Sequence, residues 1–342
     1  MEVVKMRALR LVRPGVLTLS EEAQPIPADG EVLLRVTAVG LCGSDAHWYS
    51  EGSIGDAALG HPLVLGHEFA ARIESGPRSG ERVAVDPAVP CRRCHMCLSG
   101  SPHLCGALVF AGHGVTDGAL RTYMAWPERC LVSLPENVSD AEGALLEPLG
   151  VALHAVSLAS LRPNESAGVF GCGPIGLLLI GALRSLGIAS VVATDVLPHR
   201  LAAATAAGAT RVVHASAHGS ERAEVVEASG KRGLDVAFET AGTDAAVETA
   251  IAAVKPGGQV VLIGIPSTER TSFPAATARR KELTISLCRR MLPRDLVLAA
   301  GLAGRGAIRL DALISHRFDL EQGEAAFTTL VGRSGLKVIV EP

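Results

Sequence analysis

Residues 91 to 105, "CRRCHMCLSGSPHLC", hold four of the eight cysteines in the chain. Such a cluster can be a redox device, a disulfide staple or a metal site. Cys91, Cys94, Cys97 and Cys105 follow a C-x2-C-x2-C-x7-C spacing, and four thiolates wrapped by one short loop satisfy tetrahedral zinc completely. Iron–sulfur clusters are the competing occupant. His95 and His103 lie among them but exceed a four-ligand count. A closed set leaves no position for water or substrate, so this loop is shaped by its metal and does no chemistry. A second set lies upstream, with Cys42 in "GLCGSDAHWY" and the pair His67-Glu68 in "LVLGHEFAA". One thiolate and one imidazole, with room for carboxylate, are ligands for a second zinc. Taken singly, Cys42 reads as a small buried residue and His67 as a hydrogen-bonded core histidine. Their company decides between these readings.

That company includes "GCGPIG", which supplies Gly171, Gly173 and Gly176, with Pro174 and Ile175 opening the next helix. It follows an apolar strand, and Asp195 ends the strand after it, as a dinucleotide fingerprint requires. Gly171 permits the turn, Gly173 lets a pyrophosphate approach the backbone, and Gly176 lets the helix pack closely. The helix N-terminus then offers free N–H groups to phosphate. A carboxylate at 195 accepts hydrogen bonds from ribose hydroxyls and repels a 2′-phosphate. The first cation after it is Arg200, so NAD is expected rather than NADP.

The elements that hold these groups follow from composition and pattern. At 342 residues the chain has the length of about two domains. Hydrophobic residues make up 48% but aromatics only 3%, so the core is aliphatic, as in an α/β protein with buried strands. A net charge of -3 gives no general attraction for nucleic acid or membrane. The N-terminus is strand-like and lacks a signal-peptide core. "IGLLLIGAL" is too short to span a bilayer. A cytoplasmic protein is expected, and in that reducing compartment clustered cysteines are more often metal ligands than disulfides. Up to about residue 150, short alternating runs such as "EVLLRVTAVG" and "ERVAVDPAV" predict an irregular, mostly antiparallel domain. After the helix in "LEPLGVALHAVSLASL", strands and helices alternate: "SAGVF", "ASVVATD", "RVVHA", "DVAFET" and "QVVLIGI" are strands, and "PHRLAAATAAGA" and "DAAVETAIAAVKPGG" are helices. This predicts a parallel sheet with right-handed crossovers. From about 288, helices near Pro293 to Leu302 and Leu320 to Val331 precede a last strand, "LKVIVE".

Together, "GLCGSDAHWY", "VLGHE", the four-cysteine loop, "LLEPLGVALHA", "GCGPIG", "TDVLPHRL" and "GLKVIV" resemble the zinc-dependent medium-chain alcohol dehydrogenases, in their sorbitol dehydrogenase-like polyol branch. The resemblance covers essentially the whole chain. It implies an α/β protein with an N-terminal, mostly-β, GroES-like catalytic domain (residues 1-153, completed by 288-342) and a doubly wound Rossmann domain (154-287). It implies two zinc ions, one structural and one catalytic. Cys42 and His67 match catalytic ligands, and Glu68 matches a direct ligand of the polyol branch. Glu147 stands where many relatives have a second ligand cysteine and would hold a zinc-bound water. Ser44 and His47 match the proton relay, and Trp48, Tyr49 and Phe110 match positions near the substrate. A homo-oligomer, tetramer or dimer, is the expected assembly.

The implied reaction is hydride transfer from a secondary hydroxyl of a polyol or sugar alcohol to NAD, giving the ketose. Zinc would acidify the hydroxyl and the nicotinamide would take the hydride. A Cys/His/Glu zinc is harder than a Cys/Cys/His one and suits oxygen-rich substrates. One departure bears on the substrate: Leu287 and Cys288 align with an Arg-Tyr pair that sorbitol dehydrogenases use near polyol. The neighbouring Arg289 and Arg290 could bind an anionic substrate, or simply cofactor phosphate or solvent. The competing readings are a dehydrogenase of an acidic or amino substrate, such as L-idonate, a polyol phosphate or L-threonine, and a non-catalytic binding protein on the same scaffold.

Overall fold

The computed structural model describes residues 4–55, 57–216, 221–230, 232–266 and 270–342. The chain divides into two compact units. The first comprises residues 1–147, 292–305 and 310–342, and the second comprises 148–291 and 306–309. The divisions fall at Glu147/Pro148 and Met291/Leu292, a few residues from the boundaries read off the sequence, because the helix Leu146–Ala159 runs through the first junction. Among the described residues, no helix is long and apolar enough to cross a membrane.

The first unit is built on a seven-stranded sheet. Its order is Leu131–Ser133, Arg82–Val85, Glu68–Ile73, Glu31–Gly40, Lys337–Glu341 and Ile314–Asp319, with Tyr123–Pro127 also pairing to Glu31–Gly40. The pairs are antiparallel except Ile314–Asp319 with Lys337–Glu341. The expected strand "EVLLRVTAVG" is Glu31–Gly40, and its alternation buries Val32, Leu34, Val36 and Ala38. Val32, Leu34 and Val36 pack with Leu63, Phe69 and Phe327 into one hydrophobic core, whose burial from water is the main stabilising contribution. The closing "LKVIVE" is the strand Lys337–Glu341, seated beside Glu31–Gly40 through Ile339↔Gly40 and Val340↔Val39.

The second unit carries six parallel strands. Numbered along the chain they lie in the order third, second, first, fourth, fifth, sixth, the doubly wound arrangement whose ligand crevice opens where the order reverses. The first strand, Ser166–Phe170, turns through the glycines into the helix Pro174–Ser185, which starts with proline in its first turn where no N–H is needed. The helix Pro198–Ala207 also starts on proline and ends at left-handed Gly208, a Cβ-free stop. Three elements depart from expectation. The helix after Thr243 stops at Ala253, and Val254–Leu262 is already strand, because Pro256 can neither donate to a helix nor tolerate helix before it. A helix, Arg222–Ala228, separates the third and fourth strands, and a sixth strand, Thr284–Leu287, edges the sheet.

Glu239, at the end of the fourth strand, ties the loops above this sheet together. It is 1% exposed. Its carboxylate accepts N–H bonds from Ala241 and Gly242, both at 2.7 Å, while its backbone carbonyl accepts from Ile263 and Gly264. Burial pushes its carboxyl up to about 7, although those backbone N–H groups favour the charged form. The folded chain therefore holds this proton more tightly than the unfolded chain, whose ordinary value is 4.5. The resulting stabilisation is complete below that value and is lost as pH rises through about 7. Glu239→Gln keeps an acceptor and cannot ionise. Relative to wild type it should gain about 2 kcal/mol between pH 5 and pH 8, read from denaturant titrations of the full chain. An unchanged difference across that range contradicts this account.

Candidate active site

The four-cysteine loop is an ordered cage. Cys94 Sγ lies 3.5 Å from Cys97 Sγ and 3.8 Å from Cys105 Sγ, and Cys91 Sγ is 4.0 Å from Cys97 Sγ. These are near the ~3.8 Å edge of a tetrahedron with zinc–sulfur bonds of ~2.3 Å. They are far too long for the ~2.05 Å of a disulfide, and all eight cysteines are free thiols. The four sulfurs lie within 4.8 Å of one another, which suits a single ion and not a multi-iron cluster. Backbone N–H groups of Arg93 and Cys94 bring the Cys91 thiol down to about 6.

The second set converges from separate segments. Cys42 precedes the helix Gly43–Glu51, and His67 immediately precedes the strand Glu68–Ile73, which Glu68 starts. Donor atoms of Cys42, His67 and Glu68 lie within 4.8 Å of one another. Burial, with Glu68 beside it, pushes the Cys42 thiol up to about 12. A thiol in that state is no nucleophile, whereas a dication among a thiolate, an imidazole and a carboxylate would reverse the shift. The donor set fits a divalent metal with an open fourth position.

Two residues that sequence patterns did not single out support this set. Asp45, fully buried, accepts from the N–H of Cys42 (2.9 Å) and of Gly66 (3.3 Å), and its Oδ1 lies 3.7 Å from His67 Nδ1. It thus fixes the backbone before two ligands and orients an imidazole. The signal was its place in the first turn after Cys42, where a short acid caps a helix. Lys337, 1% exposed, donates to Glu68 Oε2 (2.5 Å) and to the carbonyl of Leu41 (3.0 Å). It reaches Glu68 across Gly40, where an added Cβ would lie 2.5 Å from Glu68 Oε2.

Of the two glutamates proposed for the metal, Glu68 joins the donor set and Glu147 stands outside it. Glu147 is nevertheless 6% exposed and raised to about 8, first by burial and then by Glu68, Cys42 and Asp86, against the pull of His67. Ser44 and His47 sit three residues apart on the helix Gly43–Glu51, and hence on one face. Ser44 acts on the Cys42 thiol in the sense that favours its charged form, and His47 Nδ1 is 2.9 Å from Glu51 Oε1. Phe110 lies over His67, with ring centroids 5.4 Å apart. Trp48 is a correction. It is only 2% exposed, packed in the core and edge-on to His113, so it offers no surface to a substrate. Tyr49 likewise packs on Phe327.

In the second unit, the glycine turn has the form a dinucleotide needs. Gly171 has φ +108°, and a Cβ at Gly176 would collide with the Gly171 carbonyl. At Gly173 the nearest atom to an added Cβ is Arg200 Nη1 at 3.7 Å, and φ is an ordinary -67°. The fold itself gives no reason for glycine there, and an approaching pyrophosphate does. Pro174 and Ile175 form the first turn of the helix whose N–H groups face that space. Asp195 is 6% exposed, accepting from Cys172 N (2.7 Å) and Leu197 N (2.9 Å), with Arg200 4.0 Å away. It therefore holds the glycine turn.

Two family models match the chain: an alcohol dehydrogenase GroES-like domain over residues 28–136 and a zinc-binding dehydrogenase over 174–301. D-xylulose reductase A of Aspergillus oryzae is 36% identical over 344 residues, covering 97% of this chain and 96% of that protein. The chain belongs to the zinc-binding dehydrogenases. Within them it falls in the polyol branch, as the sequence motifs implied. L-idonate 5-dehydrogenase of Escherichia coli superposes with a TM-score of 0.91 at 26% identity, over 100% of this chain and 99% of that one. A zinc-binding dehydrogenase of Sinorhizobium meliloti bound to NADP gives 0.89 at 28%, over 99% and 100%. This dehydrogenase is thus an enzyme acting on alcohols or polyols with zinc and a nicotinamide nucleotide.

The two helix-turn glycines of this dehydrogenase separate folding from binding. Gly176→Ala should destabilise the chain by about 1–3 kcal/mol through overpacking. Gly173→Ala should leave the thermal midpoint unchanged and raise the dinucleotide Kd tenfold or more. Differential scanning calorimetry and cofactor titration distinguish the two, and equal stability loss in both variants refutes the cradle.

Proposed function

We propose that this dehydrogenase oxidises a secondary hydroxyl of a neutral vicinal polyol or sugar alcohol with NAD, giving the ketose, and carries two zinc ions per chain. The observation that supports it most is the convergence of Cys42, His67 and Glu68. A donor set with one thiolate and one carboxylate is harder than one with two thiolates and favours oxygen-rich ligands. When bound, zinc supplies the positive charge that acidifies a substrate hydroxyl, and NAD supplies the hydride acceptor. The chain's own groups do the rest. Ser44 receives the substrate proton and His47 passes it to solvent. Glu51 engages His47 Nδ1, which leaves Nε2 for that transfer. Phe110, against His67, excludes water from one side. Glu147 positions a water or a second substrate hydroxyl.

NAD is favoured by Asp195, whose buried carboxylate repels a 2′-phosphate. Arg200 nearby acts in the opposite sense, and a structural neighbour does bind NADP. A second reading, oxidation of a sugar acid, is supported by Arg289 and Arg290 and by the likeness to L-idonate 5-dehydrogenase. Arg290 sits at φ +61°, a conformation that a non-glycine residue adopts at a cost and often for function.

Metal analysis should find two zinc ions in wild type. Cys42→Ser should fold, keep one and lose nearly all activity, whereas Cys97→Ser should damage folding or assembly. A single zinc held by the four-cysteine loop alone contradicts the catalytic assignment.

The substrate reading is tested by kcat/KM for tetritols to hexitols, matched secondary monoalcohols, sugar acids and L-threonine, each with NAD and NADP. Monoalcohols leave pocket polar groups unpaired at ~1–3 kcal/mol each, so polyols should win by roughly 5- to 150-fold. NAD should be preferred, and Asp195→Ala should narrow the ratio; the ratio is the readout because Asp195 also holds the glycine turn. Equal turnover of monoalcohols refutes the polyol reading. A preference for sugar acids that is lost on replacing Arg289 or Arg290 establishes the second.

A further inference from the structure

Lys337 is the one lysine whose ammonium is sealed inside the first unit among the described residues, at 1% exposure. It arrives on the last strand and meets Glu68 across 269 residues of sequence. Its approach depends on Gly40, because a side chain there would occupy the space between Glu68 Oε2 and the Lys337 stem. It also donates to the carbonyl of Leu41, immediately before Cys42. Its ammonium is paired with the Glu68 carboxylate at 2.5 Å and with the Leu41 carbonyl at 3.0 Å, surroundings that hold a buried charge.

We infer that Lys337 is a fixed positive charge that weakens zinc binding at the Cys42–His67–Glu68 set while making the bound ion a stronger electrophile. The inference rests on the metal reading proposed above. Among the donors, a thiolate and a carboxylate contribute two negative charges and a neutral imidazole none. A dication there would reach neutrality without Lys337 and one net positive charge with it. In a buried site that excess charge acts strongly on a developing anionic oxygen. The same charge repels the dication and competes with it for Glu68. A purely structural lysine would do the reverse, holding Glu68 in place so that its loss weakens metal binding.

The test is equilibrium competition of the holoenzyme with dipicolinate, reading zinc per chain, together with turnover per bound zinc. Lys337→Met should bind the Cys42-site zinc at least tenfold more tightly and turn over at least tenfold more slowly per zinc. Lys337→Arg should restore both toward wild type. Tighter binding should persist in a Glu68→Gln background, because the direct repulsion remains; the pair Glu68→Gln and Glu68→Gln/Lys337→Met decides the matter if Lys337→Met alone does not fold. Weaker or unchanged zinc affinity in Lys337→Met, or no effect in the Glu68→Gln background, overturns the inference and leaves the metal reading standing. A wild type with one zinc, unaffected by Cys42→Ser, overturns both.

Discussion

Negative charge in an apolar interior is the constraint around which the first unit is organised. Cys42, Asp45, Glu68, Asp86 and Glu147 act on one another there, and burial alone would neutralise most of them. Each is handled differently. Glu68 has a buried ammonium at 2.5 Å. Asp45 has two backbone N–H groups and faces His67. Asp86 is raised to about 6 by burial and accepts from the N–H of Ala88. At Cys42 and Glu147 burial outweighs the compensation that Lys337 and His67 respectively give, and they are pushed up to about 12 and about 8. The thiol and the outer glutamate are thus the groups whose charge awaits a metal or a proton.

The sheet is shaped by the same requirement. The strand Glu31–Gly40 ends in a residue without a side chain, flanked by the strand that starts at Glu68 and the strand that starts at Lys337. Only that order lets a cation from the end of the chain reach a carboxylate from its first quarter. The second unit meets an opposite electrostatic task, attracting an anion with no lysine or arginine in its glycine turn. It uses oriented backbone N–H groups at a helix start. Asp195, at that turn, accepts from backbone N–H groups on both sides and so holds the shape of the turn.

These features differ in how far the sequence discloses them. The cysteine spacing, the glycine triplet and the alternation of strands and helices are local patterns, and each dictates its geometry within about twenty residues. His67-Glu68 was legible only beside the other motifs, since each residue singly has an ordinary core reading. Lys337 was not legible at all. In "GLKVIV" it has the look of a solvent-facing strand end, and its burial depends on Gly40 and Glu68 in distant segments. Trp48 failed for the opposite reason. Its position matches a family contact, yet the helix Gly43–Glu51 turns it into the core, and nothing in the local pattern of "DAHWYS" distinguishes the two faces. The helix itself was hidden by its weak amphipathicity, with Asp45 and Trp48 as its buried residues.

Coordination number is the usual reason for calling a four-cysteine zinc structural, but charge leads to the same division independently. Four thiolates around a dication carry a net charge of -2, which is tolerable only where solvent and peptide dipoles can bear it. Cys91, Cys94 and Cys97 are partly exposed, and backbone N–H groups from Arg92, Arg93, Cys94 and Cys97 point at their sulfurs. Such a centre repels an incoming alkoxide even if a coordination position were to open. The buried set has half the thiolate and carboxylate charge, and an ammonium beside it. Its sign is right for an anionic oxygen and its shielding from water makes that sign felt. The two donor sets are therefore distinguished by where the fold lets charge go, before any ligand is counted.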